Sequence, residues 1–520
     1  MFTSIVERFQ RGRATPSTES GDRTGELVAT IEGLPEDFRG AILQRVNEIV
    51  GALRPGRQRV DDTTGAITDL IDGLDPMDTS GAWLTLATIG GRLPTGEEVG
   101  ALVRLAELDG TGAAVVGAIS RLLQAPDTGA TRREVRIITG RTLIDVQHTS
   151  RADFATGIQR VTREATRRWV QAHDATLVGW LDDMSAMRAL TPPECRRACW
   201  GGPPVTIPTA DPIIVPWHCT YILPELAAEV VRAAHLQNMA QNSGTTLNMI
   251  GYDLVPITTT ETSHEGLIPG FARNLAAARY ARIIVPISVG AAGEYRGWRA
   301  MLTSTGLTGP AIEPVVLPTE APPEDPLGTA AARERLQIGL LPLVLVVGSH
   351  EPRKNHSAVL HAAELLWREG LQFSLSFIGG NSWNSESFTS TLDAMQASGR
   401  PVEAISAATD DLLWGGYRVA RFTVFPSLNE GFGLPVAESL ACGTPVVTSG
   451  YGSMKEIADG GGGAVLVNPR DDHSIADGMR SLLTDDELYS RLAAQARARP
   501  VRTWDSYAAE VWTLLTGQPQ

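Results

Sequence analysis

Lysine is almost missing from this chain. Of 520 residues and 45 positive side chains, only Lys354 and Lys455 are lysine, and the other 43 are arginine. Positive charge is in deficit as well: 45 basic against 59 acidic residues leave a net −14. That balance excludes the basic face or tail of a general nucleic-acid binder, while leaving room for a local anion pocket. Cysteine is scarce. The four thiols, Cys195, Cys199, Cys219 and Cys442, make no disulfide framework in so long a chain. The Cys195/Cys199 pair with His218–Cys219 lacks the short CxxC knuckle of a zinc site. Long apolar runs are missing too: LPLVLVVG (341–348) has strand length, far below the roughly 20 residues of a membrane span. The opening MFTSIVERFQRGR lacks the apolar stretch of a secretory signal. Together these absences predict a soluble protein of a reducing cytoplasm, and the lysine scarcity gives weight to any lysine in a chemically useful place.

What is present is globular, with 43% hydrophobic and 20% charged residues, and long enough for two or three domains. Residues 1–25 are polar and read as a flexible tail. From about 26 to 130 the pattern is helical. Phe38, Ile42, Val46, Ile49 and Leu53 recur every three or four residues, and Asp109-Gly110 marks a turn. This small helical module carries no chemical motif and is expected to pack on the rest of the chain or on a protein or membrane partner. After it, β-rich runs alternate with helical stretches, as in VRIITGRTLIDV, DPIIVPW and ARIIVPIS, which is the texture of βαβ units on a parallel sheet. The Pro-rich LPTEAPPEDPLG (317–328) reads as a linker. A second α/β series follows, so the expected architecture is α/β, with a first Rossmann-like domain over 131–318 and a second over 319–520. Two such domains leave a cleft at the carboxyl ends of their strands, where ligands bind.

The sharpest segment is FTVFPSLNEGFGLPVAESLACGTPVV (422–447). A buried strand ends at Pro426 and a loop carries Glu430. Gly431 and Gly433 let the backbone approach a ligand closely, and Pro435 opens the next helix, where its missing N–H costs nothing. Free N–H groups at that helix start, with the helix dipole, suit a phosphate. Glu438 lies one turn in, eight residues after Glu430. Amides for a phosphate and carboxylates for hydroxyls fit a sugar–phosphate ligand. The same spacing also fits a Glu438 that satisfies its own helix and a solvated Glu430.

EGFGLPVAESLACGTPVV resembles the Glu-x7-Glu segment of the retaining glycosyltransferases of family 4, which have the GT-B fold. VVGSHEPRKN (346–355) resembles the family's basic donor-phosphate loop. LIDVQHTSRADFATGIQRVTRE (143–164), YDLVPI (252–257) and ARIIVPIS (281–288) resemble its first-domain strands and helix. The likeness spans about 140–515 and leaves the helical module uncovered. It implies two Rossmann-like domains facing a cleft, with a nucleotide-sugar donor in the second and a saccharide or lipid-linked acceptor in the first. Lys354 matches the lysine on the donor phosphates, Glu430 the glutamate that reaches the transferred sugar, and Glu438 the glutamate on the ribose hydroxyls. The amides of Gly431, Phe432, Gly433 and Leu434 would line sugar and phosphate.

The sequence departs from the family at Gly348-Ser349, where many members have Gly-Arg, so Arg353 is the candidate second cation. The family's first-domain histidine is matched best by His264, with His218 second. Gly157, at a helix start, gives acceptor or phosphate room to approach. Fixed cations would stand in for a metal, and no Asp-x-Asp motif ends a strand, so a metal-independent enzyme without cofactor is expected. The resemblance is strongest to members that build surface polysaccharides by moving mannose or rhamnose, with GDP-mannose a candidate donor, in the cytoplasm or at the inner face of the membrane. A non-catalytic sugar-nucleotide binder or scaffold using the same cleft is the alternative, and an epimerase or phosphorylase a third reading.

Overall fold

The computed structural model describes residues 19–124, 133–151, 156–203, 212–264, 266–318 and 320–517. The chain forms two compact units, one of residues 1–155, 170–248 and 273–282, the other of residues 156–169, 249–272 and 283–520. Among the described residues, no helix is long and apolar enough to cross a membrane.

The first unit begins with helices at Glu19–Glu32, Glu36–Leu53, Thr63–Leu74, Thr79–Gly90, Gly96–Asp109 and Thr111–Gln124. Residues 1–18 of the expected flexible tail lie outside the described residues. Residues 19–25 are the first turns of a helix, Glu19–Glu32, anchored further along by the buried Leu27 and Ile31, so the helix begins upstream of the expected module. The expected break falls where it should, with the helix ending at Asp109 and Gly110 at φ +87°. The module packs on the rest of its unit. Arg45 is completely buried, and its guanidinium donates to the carbonyls of Ile89 (2.6 Å) and Arg133 (3.0 Å); burial lowers its pKa to about 10. Trp83 stacks on Trp217 with centroids 6.5 Å apart.

The first sheet contains β1 (Val135–Thr139), β2 (Thr142–Asp145), β3 (Ala175–Trp180), β4 (Met187–Ala189), β5 (Ile213–Trp217), β6 (Thr220–Leu223), β7 (Thr246–Gly251), β8 (Ile283–Pro286) and β9 (Ala311–Ile312). Their order is β1-β5-β4-β3-β2-β6-β7-β8-β9. Two features depart from the expected parallel βαβ pattern. VRIITGRTLIDV is two strands that do not pair with each other, because Gly140 at φ +68° turns the chain between them. The short β4 runs antiparallel to both β3 and β5, since the tight turn through Met184 (φ +57°) allows only a hairpin return. Behind β2, Arg232 bridges the buried carboxylates of Asp145 (2.9 Å) and Glu225 (3.1 Å). Glu225 also accepts the backbone N–H groups of His148 (2.7 Å) and Thr149 (3.0 Å), which fixes the loop after β2.

In the second unit, β10 (Leu343–Val347), β11 (Ser374–Ile378), β12 (Val402–Ile405), β13 (Phe422–Phe425), β14 (Val446–Ser449) and β15 (Ala464–Val467) form a sheet of order β12-β11-β10-β13-β14-β15. Every pairing in it is parallel, which matches the continuous apolar strands of the sequence. The expected linker ends early: Asp325 caps a helix, Pro326–Leu336, that starts inside it. The chain closes on the helix Trp504–Thr516, whose Trp512 packs on Trp169 (5.8 Å), while the Trp169 indole donates to the Ala508 carbonyl (2.8 Å).

Because Trp83 is fully buried and stacked, Trp83→Ala is expected to cost about 3–5 kcal/mol. Urea unfolding followed by fluorescence reads this directly, and an unchanged midpoint would show that module and sheet do not share a core.

Candidate functional site

The site is built where two loops of the second unit meet. After β10 the chain passes Gly348 (φ +143°), makes a short 3-10 turn at Pro352–Lys354, and enters the helix His356–Arg368 through Asn355 in the left-handed region (φ +60°). The turn at the end of β11 comes so close that a Cβ on Gly379 would lie 1.9 Å from the Gly348 carbonyl oxygen, so glycine is required there. The Asn355 amide donates to the carbonyls of Pro426 (3.3 Å) and Pro469 (2.7 Å). The loop after β13 is joined to this turn by the Leu428 N–H, which donates to the Arg353 carbonyl (2.8 Å).

At that junction Glu430 meets both expected cations. Arg353 reaches one carboxylate oxygen at 2.6 Å and Lys354 the other at 2.6 Å, with the Ser427 hydroxyl donating to the second at 2.8 Å. Glu430 is nearly buried. Burial alone would raise its pKa, but Arg353 and then Lys354 outweigh it and hold the carboxyl at about 2. Arg353 also pairs with Glu351 and donates to the Asn429 carbonyl (2.8 Å). Lys354 lies over the Phe425 ring at 4.9 Å.

The helix Leu434–Ala441 starts after Gly433 (φ +102°) and has no side-chain cap hydrogen bond. Gly431 is pressed against a neighbouring turn, where a Cβ would lie 2.9 Å from the Tyr252 carbonyl. Phe432 is buried. Gly157, at the start of the helix Gly157–Ala172, faces this region, and a Cβ there would come within 3.3 Å of the Leu434 side chain. Glu438 is buried and already has partners. Arg160, four residues into TGIQRV, forms an ion pair with one oxygen, and the Tyr417 hydroxyl donates to the other at 2.8 Å. Arg160 in turn lies over the Trp414 ring at 5.8 Å.

The structure thus brings Arg353, Lys354 and Glu430 into one cluster, and Gly157, Leu434 and Glu438 to one helix start. His264 joins neither: it is exposed, and its ring accepts the Gly266 N–H (3.1 Å). His218 is exposed, at φ +48°. Lys455 pairs with Asp459 at the surface.

Sequence reasoning passed over Asp253, Arg160 and Tyr417. Asp253 is held between Glu430, Glu294 and Arg353; its pKa is raised to about 6, chiefly by burial, with both carboxylates adding and Arg353 opposing. Its placement directly after β7, at a strand's carboxyl end, was the available signal. Nothing local pointed to Arg160, whose partner is 278 residues away. A cavity of about 330 Å³ opens beside Glu430, with Glu294, Asn429, Tyr451, Ser453 and Arg470 in its walls.

Against known proteins, residues 331–499 match the family described as Glycosyl transferases group 1. The chain is similar to the serotype-specific mannosyltransferase WbdA of Escherichia coli, with 26% identity over 349 residues, 62% of this chain and 39% of that protein. A D-inositol 3-phosphate glycosyltransferase of Xylanimonas cellulosilytica is 36% identical over 198 residues, 36% of this chain and 45% of that one. The chain therefore spans about two fifths of the length of the mannosyltransferases it matches. Among solved structures, HepE of Anabaena in complex with UDP-glucose superposes with a TM-score of 0.53 at 12% identity, covering 73% of this chain and 100% of that one. Sucrose-phosphate synthase of Thermosynechococcus elongatus gives 0.52 at 16%, covering 72% and 98%. The fold is GT-B, with two mainly parallel α/β sheets after an N-terminal helical region.

Glu430 is itself a titratable link between the two loops. Its carboxyl lies at about 2 in the fold against an ordinary 4.5, so its stabilisation is complete above pH 4.5 and is lost as pH falls toward 2. Glu430→Gln is expected to remove that part of the acid-unfolding slope. At neutral pH it should cost about 3–5 kcal/mol, because two cations lose their buried partner. Chemical denaturation from pH 2.5 to 7 measures both effects.

Proposed function

We propose that this protein is a retaining glycosyltransferase that moves a hexosyl group from a nucleotide-sugar to a hydroxyl acceptor in polysaccharide or glycolipid synthesis. The observation that carries the reading is the Arg353–Glu430–Lys354 cluster, set beside the glycine-lined start of the Leu434–Ala441 helix. The mannosyltransferase relatives support a mannosyl donor such as GDP-mannose.

In this reading, breaking the sugar–phosphate bond builds charge on the departing diphosphate, and Lys354, Arg353 and the helix-start amides stabilise it without reorganising. That division of labour needs no metal ion. Glu430 orients the two cations and reaches the transferred sugar. Glu438 takes the ribose hydroxyls: a carboxylate offers about four acceptor positions, and Arg160 and Tyr417 use two of them. An ionised Asp253 would favour the positive charge that develops on the sugar. His264 remains a candidate only if its loop closes on the donor. The four free thiols support a reducing compartment, the cytoplasm, with the inner membrane face as the meeting place for a lipid-linked acceptor.

The test is incubation of the full chain with UDP-, GDP-, ADP- and dTDP-sugars, scoring free nucleoside diphosphate with and without acceptor and the anomer of any product by NMR. One donor should be turned over with its configuration kept. A donor that raises Tm but releases no diphosphate would establish the non-catalytic alternative. Lys354→Ala, which leaves Glu430 to Arg353 and Ser427, should lower kcat about 10²–10³-fold with a smaller change in donor KM. Glu438→Gln should act mainly on donor KM. Turnover of the wild type should rise as pH climbs through about 6, the pKa of Asp253, and Asp253→Asn should lack that limb in a pH–rate profile.

A further inference from the structure

Two helix starts meet beside the Glu430 loop. The helix Val289–Ser304 follows β8, and the helix Gly452–Asp459 follows β14. The first N–H groups of a helix have no partner within it. In Val289–Ser304 three of them are satisfied by side chains. The Ser288 hydroxyl oxygen accepts the Ala291 N–H (2.9 Å), as an N-cap does. The Val289 and Gly290 N–H groups donate instead to Glu456, one to each carboxylate oxygen, at 3.1 and 3.0 Å. Glu456 stands on the second helix, 166 residues further along the chain than Gly290. The backbones press together at the same point. A Cβ on Gly290 would lie 3.0 Å from the Ser453 nitrogen, so a larger residue must part them.

This junction bears on the Glu430 loop. While its oxygen caps the helix, the Ser288 hydroxyl donates to the Gly431 carbonyl at 2.5 Å. The Ser453 hydroxyl donates to the Glu430 carbonyl at 2.8 Å. One turn further along the first helix, Glu294 accepts the Asn429 amide at 3.1 Å. Residues 429–431 are therefore each held from outside their own loop. A trans peptide sets its N–H opposite its C=O, so the two serine bonds also fix the directions of the Gly431 and Phe432 N–H groups. Neither N–H has an acceptor among the described residues, which leaves both for a ligand oxygen.

We propose that Glu456 is a positioning residue for the transfer. It touches no substrate. By gripping two adjacent N–H groups it stops the first turn of the Val289–Ser304 helix from rotating or withdrawing, and that turn carries Ser288. Through Ser288 it sets the peptide plane that turns the Phe432 N–H toward the donor's sugar–phosphate group. The proposal rests on the glycosyltransferase reading above. Without the Glu456 carboxylate the turn is released, and the Gly431 carbonyl moves with Ser288. Glu430 keeps Arg353, Lys354 and Ser427, so the charge of the site stays as it was and only its alignment is lost.

The test is a double-mutant cycle on kcat with whichever donor is turned over, together with hydrogen exchange of residues 428–434 read by mass spectrometry in the same full-length proteins. Glu456→Ala should lower kcat about 10–100-fold, the scale of a small misplacement, keep the donor KM within about twofold, and speed exchange in the segment. Glu456→Gln, which retains one acceptor oxygen, should fall between it and wild type. Ser288→Ala should slow kcat similarly, and adding Glu456→Ala to it should cost little more, because both changes break one path. Gly290→Ala parts the two backbones with Glu456 intact; it should slow kcat in the same way, and it carries the test if Glu456→Ala does not fold. A Glu456→Ala protein with lowered Tm but wild-type kcat overturns the proposal, as do additive effects of Glu456→Ala and Ser288→Ala, or unchanged exchange. If the wild type releases diphosphate from no donor, the glycosyltransferase reading itself fails, and exchange alone decides whether Glu456 holds the loop.

Discussion

The site depends on one buried carboxylate shared by two cations. Glu430 would be costly to bury alone, yet with Arg353 and Lys354 at 2.6 Å its charge is matched and its geometry determined. The same contacts join the loop after β10 to the loop after β13, so the basic turn and the glycine-rich helix start cannot drift apart. Counting Glu351 on Arg353, two positive and two negative groups balance locally. The cations are therefore positioned before any ligand arrives, which is how a preorganised site avoids reorganisation during reaction. Lysine suits this place as a compact charge with three donors, only one of which Glu430 needs.

Around that cluster the fold sorts its other groups by distance along the sheet. Glu438 meets Tyr417 of the helix that leads into β13, and Tyr451 and Arg470 follow β14 and β15. Gly157 and Arg160 come from a helix far away in sequence but in the same compact unit, so this helix, not a loop, closes the Glu438 side. Its attachment is strong at the other end too, through Trp169 against the C-terminal helix. Asp253, wedged beside Gly431, explains why that position tolerates no side chain: a Cβ would meet both the Tyr252 carbonyl and the Asp253 carboxyl.

Much of this was legible in the residues themselves. The strands of the second sheet are largely apolar, as in LVLVV, and Gly431, Gly433 and Pro435 announce their helix start, so fold and motif could be read together. The pairing of Lys354 with Glu430 was not written in either segment, since 76 residues separate them and each carries a local role of its own. Arg160 gave no sign because an arginine on a polar helix face usually meets solvent. The antiparallel β4 was hidden for another reason: three residues are too few to show a period. The extra N-terminal turns were hidden because residues 19–25 are polar and carry no apolar spacing of their own, the helix being anchored only from Leu27 and Ile31 onward.

The central claim is that Lys354, held by Glu430, is there for the donor's phosphates. Isothermal titration of the wild type and Lys354→Ala with a nucleoside, its monophosphate and its diphosphate, using the base of the preferred donor, tests this most directly. The account predicts that the variant binds the nucleoside as the wild type does and loses affinity in proportion to phosphate, most for the diphosphate. Equal affinities of the two proteins for the diphosphate would contradict it.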